Sequence, residues 1–509
     1  MQIGQVLRQP ALRTPGRIAI VDAPRGEHVE ITYAELDEDA RRVAAALRAR
    51  GIVPGERVAL VADNCRAFVA CWFGVVYAGC TVAPAPVVSA APEVAFRLTD
   101  AGCAALITDE ARGEMGERAC AQAGGEVIRL DARELLRADV TPIDAPARTA
   151  PEDLAMILYT SGTLGAPKGA AITHASLMTH TAALVHHTLR LGAEDRVLGA
   201  LPLTHSYGIR MVVLATFYAS ARAVLVPRFF VEQTLELLSV EGITWLPAVP
   251  TMFAAWANGP DGEPPSRLRW CLSAGAPLTE DVRTRAEARL GALIRQGYGL
   301  TEATFCTIDA PPWERVPGSV GHPVWGIEVR VVDDAGAPVP RGEDGEIVVR
   351  GQNVMRGYLG DAESTEAVMR DGWLHTGDVG RFDDNGRLWV VDRIKDLILR
   401  GGNNVYPSEV EDAIATHPAV AEVAVVGRPD EHYGEEVIAV LVLHEGATLE
   451  PADLAAHCRE RIARNKVPRE VAFVDALPIG PSRKVLKREL RAALASGELP
   501  TRPTRAGTW

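Results

Sequence analysis

The sequence predicts an α/β protein: a large N-terminal domain of layered α/β subdomains plus a small β-barrel, then a small α+β C-terminal domain. Three observations predict it. At 509 residues the chain is too long for one ordinary core, so two or more domains are expected. Short apolar runs of strand length alternate with helix-length stretches over most of the chain, the pattern of a largely parallel sheet between helical layers. From about Val316 the texture changes to short β runs separated by Asp/Gly turns, which suggests a small antiparallel sheet or barrel.

Taken in order, Thr32 and Glu35 read as a capping box that opens an Ala/Leu-rich helix reaching about Arg50. Residues 57–62 read as a strand and 68–78 as a buried helix. The apolar runs 104–108, 126–130 and 154–158 read as further strands. The pattern recurs with strands at 223–226 and 244–246 and a helix at 231–240. Residues 327–332, 345–350 and 388–391 are short β runs, with turn signals at 333–336 (Asp-Asp-Ala-Gly) and 383–386 (Asp-Asp-Asn-Gly). After segment 392–396 (Asp-Arg-Ile-Lys-Asp) the chain enters a separate α+β unit, with helices at 407–416 and 451–462, strands at 421–426 and 437–443, and a last helix at 485–494. The boundary falls at residues 394/395, with a β-rich subdomain over about 316–392. Disorder is expected only in the tail, 499–509.

Composition narrows the function classes. The chain is 47% hydrophobic and 23% charged, with a formal net charge of −13. That balance, without a basic tract interleaved with aromatics, argues against a nucleic-acid binder. Residues 1–8 lack the apolar core of a signal peptide, and no apolar run reaches spanning length. The eight cysteines form no Cys-x-x-Cys pair and are expected to be buried, reduced thiols of a cytoplasmic protein.

The segment 159–169 (Tyr-Thr-Ser-Gly-Thr-Leu-Gly-Ala-Pro-Lys-Gly) carries most of the chemistry. Small residues let the backbone approach a ligand, and unpaired loop N–H groups bind anions. The hydroxyls of Thr160, Ser161 and Thr163 add donors around Gly162, and Lys168 adds a point charge suited to phosphate. It is not a Walker A loop: Pro167 precedes the lysine and Gly169 follows it, so no adjacent hydroxyl is placed to hold Mg²⁺. Segment 297–302 (Gly-Tyr-Gly-Leu-Thr-Glu) follows a strand-like run and offers Thr301 and a hard oxygen ligand, Glu302. Segment 373–378 (Trp-Leu-His-Thr-Gly-Asp) places Asp378 after a glycine, either as a turn cap or as an acceptor for a ribose diol. Segment 478–484 leads into a helix where Arg483, Lys484, Lys487, Arg488 and Arg491 face one acid, Glu489. That cluster reads either as a solvated face or as a lysine offered to an anionic reaction centre.

The order and spacing of these five segments resemble the adenylate-forming superfamily, which comprises acyl-CoA synthetases, adenylation domains of nonribosomal peptide synthetases, and beetle luciferases. The resemblance runs from Thr32 to Lys484 and is closest to acyl-CoA synthetases. It implies ATP, Mg²⁺ and coenzyme A as co-substrates and cofactor. Thr160, Ser161, Gly162, Thr163 and Lys168 then match the loop around the β- and γ-phosphates. Gly275, Ala276 and Pro277, with Tyr298 and Gly299, match the adenine site. Thr301 matches a phosphate contact, Glu302 the Mg²⁺ ligand, and Asp378 and Arg393 the ribose contacts. Lys395 sits at the family's hinge, Gly401 and Gly402 at the thiol tunnel, and Lys484 at the lysine that bridges substrate carboxylate and α-phosphate. The resemblance makes residues 395–509 a mobile lid that rotates between half-reactions. Three departures stand out: Leu164 replaces a common Thr, Arg483 replaces a common Gly, and segment 83–86 (Ala-Pro-Ala-Pro) differs from the usual pattern.

The reaction so implied is activation of a carboxylic acid by ATP to an acyl-adenylate with loss of pyrophosphate, then transfer to the CoA thiol. Segment 203–208 (Leu-Thr-His-Ser-Tyr-Gly) resembles the acyl-CoA synthetase form of the acid pocket, with Gly297 beside it. His205 replaces the Asp that holds an α-ammonium in amino-acid-activating domains. It is either a pocket gate with a catalytic part or a packing aromatic. Arg210, in an apolar run to Phe217, either pairs with a second carboxylate of the acid or snorkels outward. Two other functions stay open: an adenylating enzyme that loads a carrier protein in trans, and a catalytically silent AMP-binding protein. A homodimer also stays open.

Overall fold

A computed structural model describes residues 2–24, 28–124, 126–160, 167–260, 262–401, 403–479 and 485–504. The chain divides into two units, residues 1–329 with 349–374, and residues 330–348 with 375–509.

The first unit holds two large, mainly parallel sheets. A seven-stranded sheet centres on Arg57–Val61, which pairs in parallel with Thr81–Pro84 and Cys103–Thr108. Thr81–Pro84 is followed outward by Leu154–Tyr159, then antiparallel by Gly169–Thr173 and the two-residue strand Gly357–Tyr358. A nine-stranded sheet runs through Ile18–Asp22, Arg222–Leu225, Arg196–Gly199, Trp245–Ala248, Trp270–Ala274 and Leu293–Leu300, all in parallel, with antiparallel strands at both edges. Strands buried on both faces read as continuous apolar runs, which is why these segments lack alternation.

The capping box forms as expected. Thr32 Oγ1 accepts from the Glu35 backbone N–H at 3.2 Å, Glu35 Oε2 accepts from Thr32 N–H at 2.8 Å, and the helix runs Tyr33–Ala49. Helix Arg66–Tyr77 is apolar all round because it is buried all round. Its Gly74 has no room for a side chain, since a Cβ there would lie 2.4 Å from Val43. All eight cysteines are free thiols, seven of them buried and Cys65 partly so.

In the second unit, strand Gly434–Leu443 pairs with Val420–Asp430 and Glu470–Phe473. Alternate residues serve two faces, as the strand period of two requires. Val437, Ala439 and Leu441 pack with helices Pro407–Ala415 and Pro451–Arg459. Ile438 and Val440 pack with Leu490 and Leu494 of helix Lys487–Ser496. The turns at Asp333 and Asp383 form as read, each carboxylate accepting backbone N–H groups two and four residues on, with Gly336 and Gly386 in the left-handed region. Among the described residues, no helix is long and apolar enough to cross a membrane.

Candidate active site

Strands Leu154–Tyr159 and Gly169–Thr173 form the two sides of the segment 159–169. Thr160 N–H donates to the Lys168 carbonyl at 2.9 Å and closes the loop at its base. Ser161, Gly162, Thr163 and Leu164 lie outside the described residues. Lys168 is held from the far end of the sequence: its ammonium donates to Ser364 Oγ at 2.6 Å and sits 5.3 Å from the centre of the Tyr358 ring. That placement combines a hydrogen bond with a cation–π contact.

Tyr358 gets there because Gly357–Tyr358 pairs with Gly169–Thr173, Tyr358 opposite Ala170. Thr365 Oγ1 accepts from Tyr358 N–H at 2.9 Å, and Asp361 caps the following turn by accepting from Ser364 N–H at 2.9 Å. The Tyr358 hydroxyl then donates to Glu302 Oε1 at 2.8 Å. Burial, followed by the Glu302 carboxylate, holds the Tyr358 phenol far above its ordinary range, so it stays a donor at any working pH. Neither Tyr358 nor Ser364 stood out in the sequence.

Glu302 reaches this ring from a tight hairpin. Strand Leu293–Leu300 continues through the glycine-rich run instead of ending before it, then turns back as Thr304–Ile308. Gly299 is obligatory there, because a Cβ would lie 1.9 Å from the Thr304 carbonyl oxygen. Among the described residues, no group of three or more His, Cys, Asp or Glu side chains is gathered to hold a metal. A lone carboxylate fits Mg²⁺ all the same, since Mg²⁺ keeps waters and takes substrate phosphates beside one or two protein carboxylates.

Gly275, Ala276 and Pro277 follow strand Trp270–Ala274 and are exposed, with Gly275 at φ +91°. Ala274 pairs with Gly297, so Gly275 and Tyr298 leave adjacent parallel strands side by side. The carboxyl ends of parallel strands are where open α/β sheets take ligands. His205 is exposed rather than packed, and its Nδ1 accepts from Tyr207 N–H at 3.2 Å at the start of a short helix. Gly208 admits no side chain, as a Cβ would meet the Pro202 carbonyl oxygen at 2.1 Å. Arg210 does not snorkel: it is 1% exposed, in the π-helical stretch Ile209–Ala215.

In the second unit, Asp378 lies in strand Trp373–Phe382 directly opposite Arg393 of Leu388–Arg393, with Asp378 Oδ1 3.0 Å from Arg393 Nε. Thr376 Oγ1 accepts from Asp378 N–H at 3.1 Å. Lys395 follows in the single turn Ile394–Asp396. Partial burial, then the Arg393 guanidinium, pushes its pKa down to about 8, although the residue as a whole is exposed. Gly401 adopts φ +58° and donates its N–H to the Tyr433 carbonyl at 2.7 Å. Two of the basic residues near the chain end are ion-paired, Lys487 with Glu411 at 2.7 Å and Arg491 with Asp396 at 2.9 Å. Gly402, Arg483 and Lys484 lie outside the described residues.

A lysine and a carboxylate meet on one tyrosine, beside a glycine-rich strand end, as a site for a phosphorylated ligand would require. The chain belongs to the AMP-binding enzyme family, whose model matches residues 7–359, with the AMP-binding enzyme C-terminal domain matching 409–484. It is 39% identical over 465 residues to a feruloyl-CoA synthase of an Amycolatopsis species, covering 91% of this chain and 93% of that protein. Its fold matches ATP-bound MatB from Rhodopseudomonas palustris with a TM-score of 0.90 and 32% identity, covering 97% of this chain and 99% of that one. It also matches the O-succinylbenzoate coenzyme A synthetase MenE of Bacillus subtilis, in complex with ATP and magnesium ion, with a TM-score of 0.86 and 31% identity, over 95% of this chain and 98% of that one. The chain is an AMP-forming acid–CoA ligase. It activates a carboxylic acid with ATP and Mg²⁺ to an acyl-adenylate, releases pyrophosphate, and passes the acyl group to the thiol of CoA.

Proposed function

We propose that the residues named above divide this reaction between an adenylate-forming and a thiol-accepting half. A carboxylate is a poor electrophile because its leaving group would be oxide. Attack on the α-phosphorus of ATP replaces oxide with AMP, and negative charge builds at that phosphorus. Catalysis is then mainly positioning and electrostatics.

In this reading Lys168, with Thr160, Ser161, Gly162 and Thr163, grips the departing pyrophosphate. Glu302 and the phosphates hold Mg²⁺, which adds positive charge there. Thr301 contacts phosphate, while Gly275, Ala276, Pro277, Tyr298 and Gly299 take the adenine. Asp378 and Arg393 take the ribose, and Lys484 supplies the ammonium at the α-phosphate. Gly297 and His205 border the acid, Gly401 and Gly402 line the path of the CoA thiol, and Lys395 is the hinge of a C-terminal lid over 395–509. The observation that carries this reading is Tyr358, which takes the Lys168 ammonium on its ring face and the Glu302 carboxylate on its hydroxyl.

The acceptor is free CoA rather than a carrier protein, and the enzyme works in the cytoplasm. The similarity to named CoA synthases supports the first point. Pyrophosphate exchange across an acid library, followed by mass spectrometry with CoA and with a holo-carrier, tests the reading. Thioester on CoA is the expected product. Exchange with no acid at all would restore the silent AMP-binding alternative. Sedimentation of the purified chain decides the homodimer.

A further inference from the structure

Arg210 is a buried cation with no counter-ion. It is among the largest fully buried side chains of the described residues, and none of their carboxylates pairs with it. Among the described residues its one polar partner is His180, with Nη1 3.4 Å from His180 Nδ1. The tautomer of His180 follows from its other side. His180 Nε2 lies 3.0 Å from the Phe305 carbonyl oxygen, and a carbonyl only accepts, so Nε2 carries the proton and Nδ1 accepts from Arg210. Burial, then the charge of Arg210 itself, pushes the His180 pKa down to about 3, so His180 stays neutral. His180 thus orients the guanidinium without compensating its charge.

The donors left over have a shape. Nε and Nη2 of Arg210 are buried and unpartnered, and these two N–H groups lie parallel along one edge of the guanidinium. That edge is the fork that receives both oxygens of a carboxylate. Burying a cation without a partner is costly, which marks a site completed by something else.

The position points to the acid. Arg210 stands three residues after Tyr207, and its partner His180 bonds the backbone of Phe305. The Tyr207 ring lies 5.1 Å from that of Phe305, edge to face. Phe305 in turn fills the space beside Gly297, where a Cβ would lie 2.9 Å from its ring. Gly297 opens the segment that carries Tyr298 and Glu302. Arg210 therefore lies behind the acid side of the nucleotide segment.

We propose that Arg210 receives a second anionic group of the substrate, so that the enzyme activates acids carrying a second carboxylate or an equivalent oxyanion. This rests on the reading of segment 203–208 and Gly297 as the acid pocket. His180 is a positioning residue for Arg210.

The test is pyrophosphate exchange by the full chain on acids matched in length, with one end either carboxylate or methyl: succinate against butyrate, glutarate against valerate, 4-carboxycinnamate against 4-methylcinnamate. The wild-type enzyme is expected to prefer the dianionic member of at least one pair by about 10-fold or more in kcat/KM. Arg210→Met is expected to lower the diacid rate by about 100-fold and the methyl rate by no more than a few-fold. A preference for the methyl member in every pair, or an equal loss on both members in Arg210→Met, overturns the inference and leaves the adenylation reading intact. Exchange with no acid overturns both. Because Arg210→Met removes an unpaired buried charge at similar volume, its Tm is expected to equal or exceed the wild type. If the variant does not fold, the wild-type preference alone decides.

Discussion

The Tyr358 hydroxyl donates a 2.8 Å hydrogen bond to Glu302 Oε1, and the face of the same ring lies 5.3 Å from the Lys168 ammonium. One side chain therefore touches both the cation proposed for the outer phosphates and the carboxylate proposed for the metal. Tyr358 is itself fixed at its backbone by Thr365 and by pairing with Ala170.

Removing that hydroxyl should loosen the metal before it slows chemistry. A hydrogen bond to a charged group is worth about 1.5–3 kcal/mol. Tyr358→Phe should therefore raise the Mg²⁺ concentration for half-maximal pyrophosphate exchange by about 10-fold. The rate at saturating Mg²⁺ should change little, because the ring under Lys168 remains. A Mg²⁺ titration of exchange reads this directly. An unchanged midpoint would sink the assignment of Glu302 as the ligand.

Ser364→Ala makes the complementary cut. It frees Lys168 from its 2.6 Å tether but leaves the ring beneath it. The expected effect is a several-fold rise in KM for ATP with an unchanged Mg²⁺ midpoint. Lys168→Met, which removes the charge, should raise KM for ATP by about 10-fold or more. Equal effects of the two substitutions would mean that the tether, not the charge, matters.

How much of this was legible depended on how local each signal is. The capping box at Thr32 and Glu35, the Asp/Gly turns and the apolar strands are encoded within a few residues and form close to their expected bounds. The run 297–302 was legible as a ligand segment but not as a strand. Its glycines look like loop residues until the Thr304 carbonyl is brought against Gly299. Tyr358 was not legible at all. A two-residue strand has no periodicity, and its partner Ala170 lies 188 positions earlier in the sequence. Arg210 was visible as an oddity in an apolar run. Its burial was not, because the whole stretch Ile209–Ala215 is buried and leaves the side chain no solvent face to reach.

The role proposed for Lys484 is confined to the first half-reaction, which separates the two. By analogy with single electrostatic donors, Lys484→Ala should cost about 10²–10³ in adenylation rate. Thiolysis of supplied acyl-adenylate by CoA should stay within a few-fold, since AMP leaves without that ammonium. Pyrophosphate exchange and thioester release measure the two steps separately. Exchange at the wild-type rate would move the α-phosphate role to another residue.

Lys395 gives a pH signature that needs no substrate. The chain has five lysines: Lys168, Lys395, Lys466, Lys484 and Lys487. Lys466 and Lys487 are ion-paired with Glu409 and Glu411. Around Lys395, burial comes first and the Arg393 and Arg491 guanidinium groups add to it, against the opposing pull of Asp396 and Asp378, and its pKa falls from 10.5 to about 8. An amine attacks an acylating reagent only once it has lost its proton. The reactive form of Lys395 should therefore grow in as pH rises through about 8, while an ordinary lysine waits until about 10.4. Mass spectrometry of peptides labelled between pH 7 and 10 should show Lys395 modified before Lys466 and Lys487, with a midpoint near 8. Arg393→Gln removes the second of these causes, so its midpoint should move upward. A Lys395 midpoint level with the paired lysines would show that the ammonium is solvated and that neither burial nor the neighbouring guanidinium groups act on it.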